Sequence, residues 1–313
     1  MSSLRWNPML GEWVIVTPKR ADRPFQDESA KCPFCPENIE NSEEWQVLTL
    51  QNKFPSLDPQ VGMIPLDENY VMEAPAYGFC KVIILSPKHD EQIELMDHNQ
   101  LDLIFREYLK VFRELDKEKG IEYVYEFENR GEEIGVSLNH PHAQVYALPF
   151  IPPRIKQELK QFQQMWENEE KCLVCQILKN ELKTVTSRVI QETDNFVSFV
   201  PHFARLPYEV HIYPREHVGS LEEIEDKLQE LGKTVQDTVR RYSKVFDELA
   251  YVMAFHTRPS TGDHPYWHFH IELYPPWRDH SRKKYLAGVE TGLAVFTNDS
   301  CPEDIAKELR EVI

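Results

Sequence analysis

No run of this 313-residue chain approaches the roughly 20 consecutive apolar residues that a membrane-spanning helix requires. The opening stretch, MSSLRWNPMLGEWVIV, lacks the basic region and following apolar segment of a signal peptide. The expectation is therefore a cytoplasmic protein with no membrane partner. Positive charge is also scarce, because 35 Lys and Arg stand against 52 Asp and Glu and give a formal net charge of -17 at pH 7. Such a chain repels nucleic-acid backbones and anionic membranes, which excludes nucleic acid as a partner. Any anionic ligand must then meet a local cluster of basic groups. Low-complexity tracts are missing as well. With 41% hydrophobic and 11% aromatic residues, the chain has material for one large or two moderate domains.

Cysteine is sparse, with six residues at positions 32, 35, 80, 172, 175 and 301. Four of them form two C-x-x-C pairs far apart in the chain. In a reducing cytosol such pairs are zinc ligands or redox centres more often than structural disulfides, and neither is flanked like a thioredoxin-type site. Cys80 and Cys301 read as packing residues.

The chain repeats itself. Cys32-Pro-Phe-Cys35 is followed by His89 in SPKHD and by His140 and His142 in NHPHAQ, while Cys172-Leu-Val-Cys175 is followed by His217 in PREHV and by His268 and His270 in WHFHIEL. His89 precedes His140 by 51 residues, and His217 precedes His268 by the same 51. Between the ligands, ENYVMEAP and CKVIILSPKH in the first half match DNFVSFVP and YEVHIYPREH in the second, each as a strand pair. A long amphipathic helix follows each, with Leu101, Ile104, Phe105, Leu109 and Phe112 marking the apolar stripe of the first. We read an α+β fold of two tandem copies of one unit, antiparallel sheets with helices packed on them. The joint falls in PFIPPRIKQE, which divides the chain into domains 1–155 and 156–313. IKQELKQFQQMWENEEK then reads as a helix whose charges form a solvated face.

A closed tetrahedral zinc site needs four thiolates or imidazoles, and C-x-x-C lets two sulfurs reach one ion from a single turn. Cys32, Cys35, His89 and His140 supply one such set, and Cys172, Cys175, His217 and His268 a second. In His140-Pro141-His142, strand alternation puts both imidazoles on one side, so that one can bind metal while the other enters a pocket. A neutral imidazole with one nitrogen held as N–H attacks phosphorus readily, which makes His142 the candidate nucleophile. Gln144 faces the same way and can hydrogen-bond a non-bridging phosphoryl oxygen.

These residues resemble the galactose-1-phosphate uridylyltransferases, a branch of the histidine-triad superfamily. RWNPMLGEWVIVTPKRADRP, CPFC, QNKFPSL, SPKH, FENRGEEIGVSLNHPHAQ, the H-x-H at 268–270 and KKYLAGVE follow in that family's order across nearly the whole chain. The resemblance implies two histidine-triad-like halves and a ping-pong exchange. UDP-glucose would uridylylate His142, and galactose 1-phosphate would take up the uridylyl group. It further implies that Arg20 and Arg23 contact phosphates, that Phe34 and Asn52, Lys53 and Phe54 line the nucleoside pocket, and that Asn129, Ser137 and Gln144 surround the phosphoryl groups. Lys284 would meet phosphate or sugar, across the interface of a homodimer.

Two departures stand out. Ala143 occupies a position that is usually glycine in the family. Some members hold iron through a glutamate and three histidines, matched here by Glu158, His256, His268 and His270, but those members lack the second C-x-x-C. Thiolates favour zinc, so two zinc ions per chain are expected, with iron at the second site as the alternative. The two-zinc pattern also resembles ADP-glucose phosphorylases and related adenylyltransferases, which leaves the base open. A nucleotide hydrolase would carry a histidine where Gln144 stands. A non-catalytic, zinc-stabilised nucleotide-sugar binding protein is the alternative of another class.

Overall fold

The computed structural model describes residues 2–18, 31–39, 44–63, 72–136, 138–183 and 187–313. Arg20, Arg23 and Ser137 lie outside the described residues. The chain opens with a small antiparallel sheet of β1 (Ser3–Asn7), β2 (Glu12–Val16) and β4 (Glu73–Pro75). The main sheet takes β3 (Leu48–Gln51), β5 (Phe79–Ile84), β6 (Tyr123–Arg130) and β7 (His142–Leu148) from the first half. From the second half it takes β8 (Val189–Glu192), β9 (Phe196–Phe199), β10 (Val210–Pro214), β11 (Tyr251–His256) and β12 (His270–Tyr274). These nine strands form one antiparallel sheet in the order β3-β5-β7-β6-β11-β12-β10-β9-β8.

That order is nearly palindromic about its centre, where β6 and β11 pair from Tyr251 opposite Arg130 to Ala254 opposite Phe127. β7 and β12, which carry the two H-x-H segments, flank this seam. The repeats therefore meet edge to edge, and backbone hydrogen bonds run without a break from one half into the other.

One face of the sheet is covered by α1 (His98–Leu115) and α4 (Leu228–Val245). Asp97 starts α1 by accepting from the backbone N–H groups of Asn99 and Gln100 at 2.9 and 2.8 Å. The two helices approach closely at Gly232, where a Cβ would stand 3.1 Å from Phe105 and 3.2 Å from Leu101. Their apolar stripes, including Leu101, Phe105, Tyr108, Val235 and Val239, enter the main core.

On the opposite face, α2 (Pro153–Glu169) and α3 (Leu173–Glu181) lie over the second half. Pro153 at the first position of α2 suits a helix start. α2 is not only a solvated face, because Ile155 and Phe162 are buried and Arg154 and Glu158 reach the sheet. Cys80 packs in the core as expected, whereas Cys301 is exposed and its thiol faces Glu303. No helix among the described residues is long and apolar enough to cross a membrane.

Candidate active site and metal centres

His142 opens β7 directly after His140 and Pro141. Register sets Ile84 opposite His142, and Val82 and Phe127 opposite Gln144. Cross-strand partners share a face, so His142, Gln144 and Phe127 point the same way, and Asn129, two positions beyond Phe127, points with them. Ala143 points the other way into the helix-covered core, fully buried, so its methyl leaves the His142–Gln144 face unchanged.

Nδ1 of His142 lies 2.8 Å from the carbonyl oxygen of His140. A carbonyl only accepts, so Nδ1 carries the hydrogen and Nε2 the lone pair. Phe34 packs against this imidazole. Beside it opens a cavity of about 300 Å³ whose lining includes Gln92, Asn129, Arg130, Asn139 and His142. Arg130 went unnoticed in the sequence although it adjoins Asn129. Its guanidinium grips Glu94 in a two-pronged pair at 2.5 and 2.7 Å, both side chains largely buried.

The other sequence-derived residues are placed less centrally. Asn52 donates its backbone N–H to the Cys80 carbonyl at 3.0 Å and accepts the N–H of Phe54 on its side chain at 2.9 Å, which fixes the turn after β3. Lys53 is exposed on that turn. Lys284 is engaged within its own chain, 3.3 Å from Glu290 and 3.2 Å from Asp299.

Cys32, Cys35, His89 and His140 converge, their ligand atoms within 4.8 Å of one another. Nε2 of His140 donates to the Ser86 carbonyl at 2.7 Å, which leaves the Nδ1 lone pair facing Cys32 and Cys35 at 3.7 Å each. Cys35 faces Nδ1 of His89 at 3.5 Å. Zinc bond lengths of about 2.3 Å to sulfur and about 2.0 Å to nitrogen give a tetrahedron edge of roughly 3.6 Å, so this spacing suits a single ion. Burial, and then the neighbouring Cys32, push the Cys35 thiol up to about 11. A bound cation would reverse that balance.

Of the second set, Cys172, Cys175 and His268 converge with their ligand atoms within 4.8 Å of one another, and His217 stands outside that group. Nδ1 of His268 lies 3.5 Å from both Cys172 and Cys175, and its Nε2 donates to the Pro214 carbonyl at 3.1 Å. His217 is stacked on His268 with ring centres 5.4 Å apart, and its Nε2 donates to the Trp267 carbonyl at 2.8 Å. Hydrogen bonding from Cys172 pulls Cys175 down to about 3, with His217 and His268 assisting against burial.

Glu158, His256, His270 and Glu272 form a third group, and Glu209, His211 and Glu272 a fourth. The glutamate-and-three-histidine set read from the sequence is thus divided, because His268 sits with the cysteines. Glu272, missed in the sequence, follows His270 by the same two positions as Gln144 follows His142, which was the available signal.

Several known proteins are similar to this chain. A family model described as the galactose-1-phosphate uridyl transferase N-terminal domain matches residues 1–152, and that of the C-terminal domain matches residues 158–313. The galactose-1-phosphate uridylyltransferase of Thermotoga maritima is 36% identical over 320 residues, covering 99% of this chain and 98% of its own. The ADP-glucose phosphorylase of Arabidopsis thaliana is 28% identical, covering 99% and 92%. A solved uridylyltransferase superposes with a TM-score of 0.89 at 33% identity, covering 100% of this chain and 98% of its own. The Arabidopsis thaliana ADP-glucose phosphorylase with bound ADP-glucose superposes with a TM-score of 0.78 at 27% identity over the full length of both chains.

Proposed function

The chain belongs to the galactose-1-phosphate uridylyltransferase family, and from that premise we propose that it carries a uridylyl group from UDP-glucose to galactose 1-phosphate by way of His142. The observation that supports this most directly is the hydrogen bond from Nδ1 of His142 to the His140 carbonyl, which leaves Nε2 as the nucleophilic nitrogen. Nε2 attacks the α-phosphorus of UDP-glucose, the bond to the bridging oxygen breaks, and glucose 1-phosphate departs. A phosphate oxygen of galactose 1-phosphate then attacks the same phosphorus, the P–N bond breaks, and UDP-galactose leaves with His142 regenerated. Gln144, on the same face, donates its amide N–H to a non-bridging oxygen in both steps. Arg20, Arg23, Asn129, Ser137 and Lys284 are proposed to hold phosphates, with Phe34 and Asn52 to Phe54 around the nucleoside.

Zinc is the ion we assign to both thiolate sets, Cys32, Cys35, His89 and His140 in one and Cys172, Cys175, His217 and His268 in the other. Each ion would act structurally, closing a tetrahedron that ties a cysteine turn to two strand ends. A homodimer is also proposed, supported by the exposed apolar side chains of Tyr285, Leu286, Val289 and Leu293 next to Lys284. The cysteines form no disulfide among the described residues, which suits a cytoplasmic setting.

The test is to incubate the protein with UDP-glucose labelled in the α-phosphate, quench in base and locate the label by mass spectrometry. Label on His142 with release of glucose 1-phosphate is the expected result. The second thiolate set and the likeness to an ADP-glucose phosphorylase favour one alternative, adenylyl transfer by the same chemistry. Label from ADP-glucose but not from UDP-glucose would select it, and label from neither would point to a binding protein.

A further inference from the structure

The cavity beside His142 is not built by the first half alone. Gly131, Val136, Leu138 and Asn139 line it from the loop that joins β6 to β7, and Leu249 lines it from the second half. The loop holds a single helical turn at Glu132–Ile134. Backbone bonds close that turn, from Ile134 to Gly131 at 3.2 Å, Gly135 to Glu132 at 2.7 Å and Val136 to Gly131 at 3.4 Å. Gly131 and Gly135 bound it with φ of 89° and 79°, conformations that suit glycine. One turn held between two glycines can pivot as a unit, so where it sits depends on what it leans against.

It leans on the second half at two points. At Gly131 a Cβ would stand 2.6 Å from Cβ of Ala250 and 2.9 Å from the Leu249 carbonyl oxygen, so the approach needs glycine. Two residues on, Glu133 forms an ion pair with Lys283. The Glu133 oxygen in that pair is shut off from solvent, and a carboxylate so placed needs a positive partner. Lys283 is itself firmly held. It pairs with Trp277 in a hairpin closed by the Arg278 N–H on the Arg282 carbonyl at 2.6 Å and the Lys284 N–H on the Pro276 carbonyl at 2.7 Å. Trp277 is buried against Phe246, the residue after α4. The two adjacent lysines therefore part, Lys284 toward Glu290 and Asp299 in its own half, Lys283 toward the first half.

We propose that Lys283 is a positioning residue for the reaction at His142: through Glu133 it fixes the loop from Gly131 to Val136, and with it one wall of the cavity that receives the phosphoryl group. The proposal rests on the reaction proposed above and adds to it a role for the second repeat, which supplies a brace where the first supplies the nucleophile. Lys283 acts without touching substrate. Remove its ammonium, and the shielded Glu133 carboxylate loses its counter-charge and draws the turn outward to water, carrying Val136 and Leu138 away from the phosphoryl position.

Lys283→Met keeps the stem and removes the charge, and Lys283→Met/Glu133→Gln removes the need for it. In the full-length protein Lys283→Met should slow label formation from saturating UDP-glucose about tenfold, the scale of a small misplacement at the reacting centre. The donor concentration for half-maximal rate should change less than about twofold. The double variant should recover to within about threefold of wild type, because the two residues act as one unit. Melting points should stay within about 2 °C, since a partly exposed ion pair adds little stability. Wild-type rate in Lys283→Met, or a double variant no faster than Lys283→Met, would overturn the proposal. Amide hydrogen exchange gives a readout that needs no substrate: the N–H groups of residues 134 to 136 should exchange faster in Lys283→Met and slow again in the double variant. Unchanged exchange would overturn the proposal too. A wild-type protein that takes label from neither UDP-glucose nor ADP-glucose would instead fail the reaction proposed above, and the exchange comparison would still decide the role of Lys283.

Discussion

The ring of Phe34 lies 5.1 Å from that of His142, tilted by 57°. Phe34 stands between Cys32 and Cys35, so the turn that gathers metal ligands also delivers an aromatic wall to the candidate nucleophile. Phe34→Ala should raise KM for UDP-glucose about tenfold, the scale of a lost aromatic contact of roughly 1.4 kcal/mol, with His142 still labelled at saturating donor. Steady-state kinetics paired with the labelling assay checks this, and loss of label at saturation would mean that the ring does more than bind.

His142→Ala should remove covalent label altogether and lower turnover by at least about 10³-fold, because the proposed route forms its P–N bond on this imidazole. Gln144→Ala should keep the label but slow its formation by about 10²-fold, the typical cost of one hydrogen bond to a developing oxyanion. Rapid-quench measurement of label formation separates the two.

The metal centres should part company under mutation. Cys32→Ser is expected to lose one zinc ion, stability and labelling together, since Phe34 and the His140 carbonyl both depend on that turn. Cys172→Ser is expected to lose the other zinc ion and melt lower by on the order of 10 °C, while the folded fraction still takes up label. Metal analysis, thermal melts and labelling of the same samples decide it.

Glu126 is buried in β6 on the helix-covered side of the sheet, and burial pushes its carboxyl up to about 8 from an ordinary 4.5. A raised carboxyl favours the folded state fully below pH 4.5, where both states are protonated. That contribution fades as pH rises towards about 8, because the unfolded chain ionises first. Glu126→Gln should therefore match the wild type near pH 4 and become increasingly more stable up to pH 8, by up to about 1.4 kcal/mol per pH unit. A gap that narrows with rising pH would mean that the carboxylate is ionised and paired.

Much of the candidate site was legible because its constraints are local or strictly spaced. The C-x-x-C turns, the paired 51-residue intervals and the H-x-H-x-Q alternation fix which side chains can meet, and the structure gathers Cys32, Cys35, His89 and His140 accordingly. Other features leave no such trace. Glu158 and Arg154 sit on a helix whose polar pattern resembles any solvated face, and only tertiary packing turns them toward His256 and Glu272. Glu209 and His211 look like ordinary strand residues until β12 is known to lie beside β10. The union of β6 with β11 has no local signature either, since each strand would pair equally well with another neighbour.

That seam sets what a half of this protein can be. Separated near Pro152, the first repeat would end in a bare β6, with the donors and acceptors from Phe127 to Arg130 that now face β11 left open. An edge of that kind recruits whatever strand it meets, most readily another copy of itself. Each repeat is in effect a partner permanently supplied to the other, and a fragment carrying His142 alone would seek in a second molecule the strand that the full chain already carries.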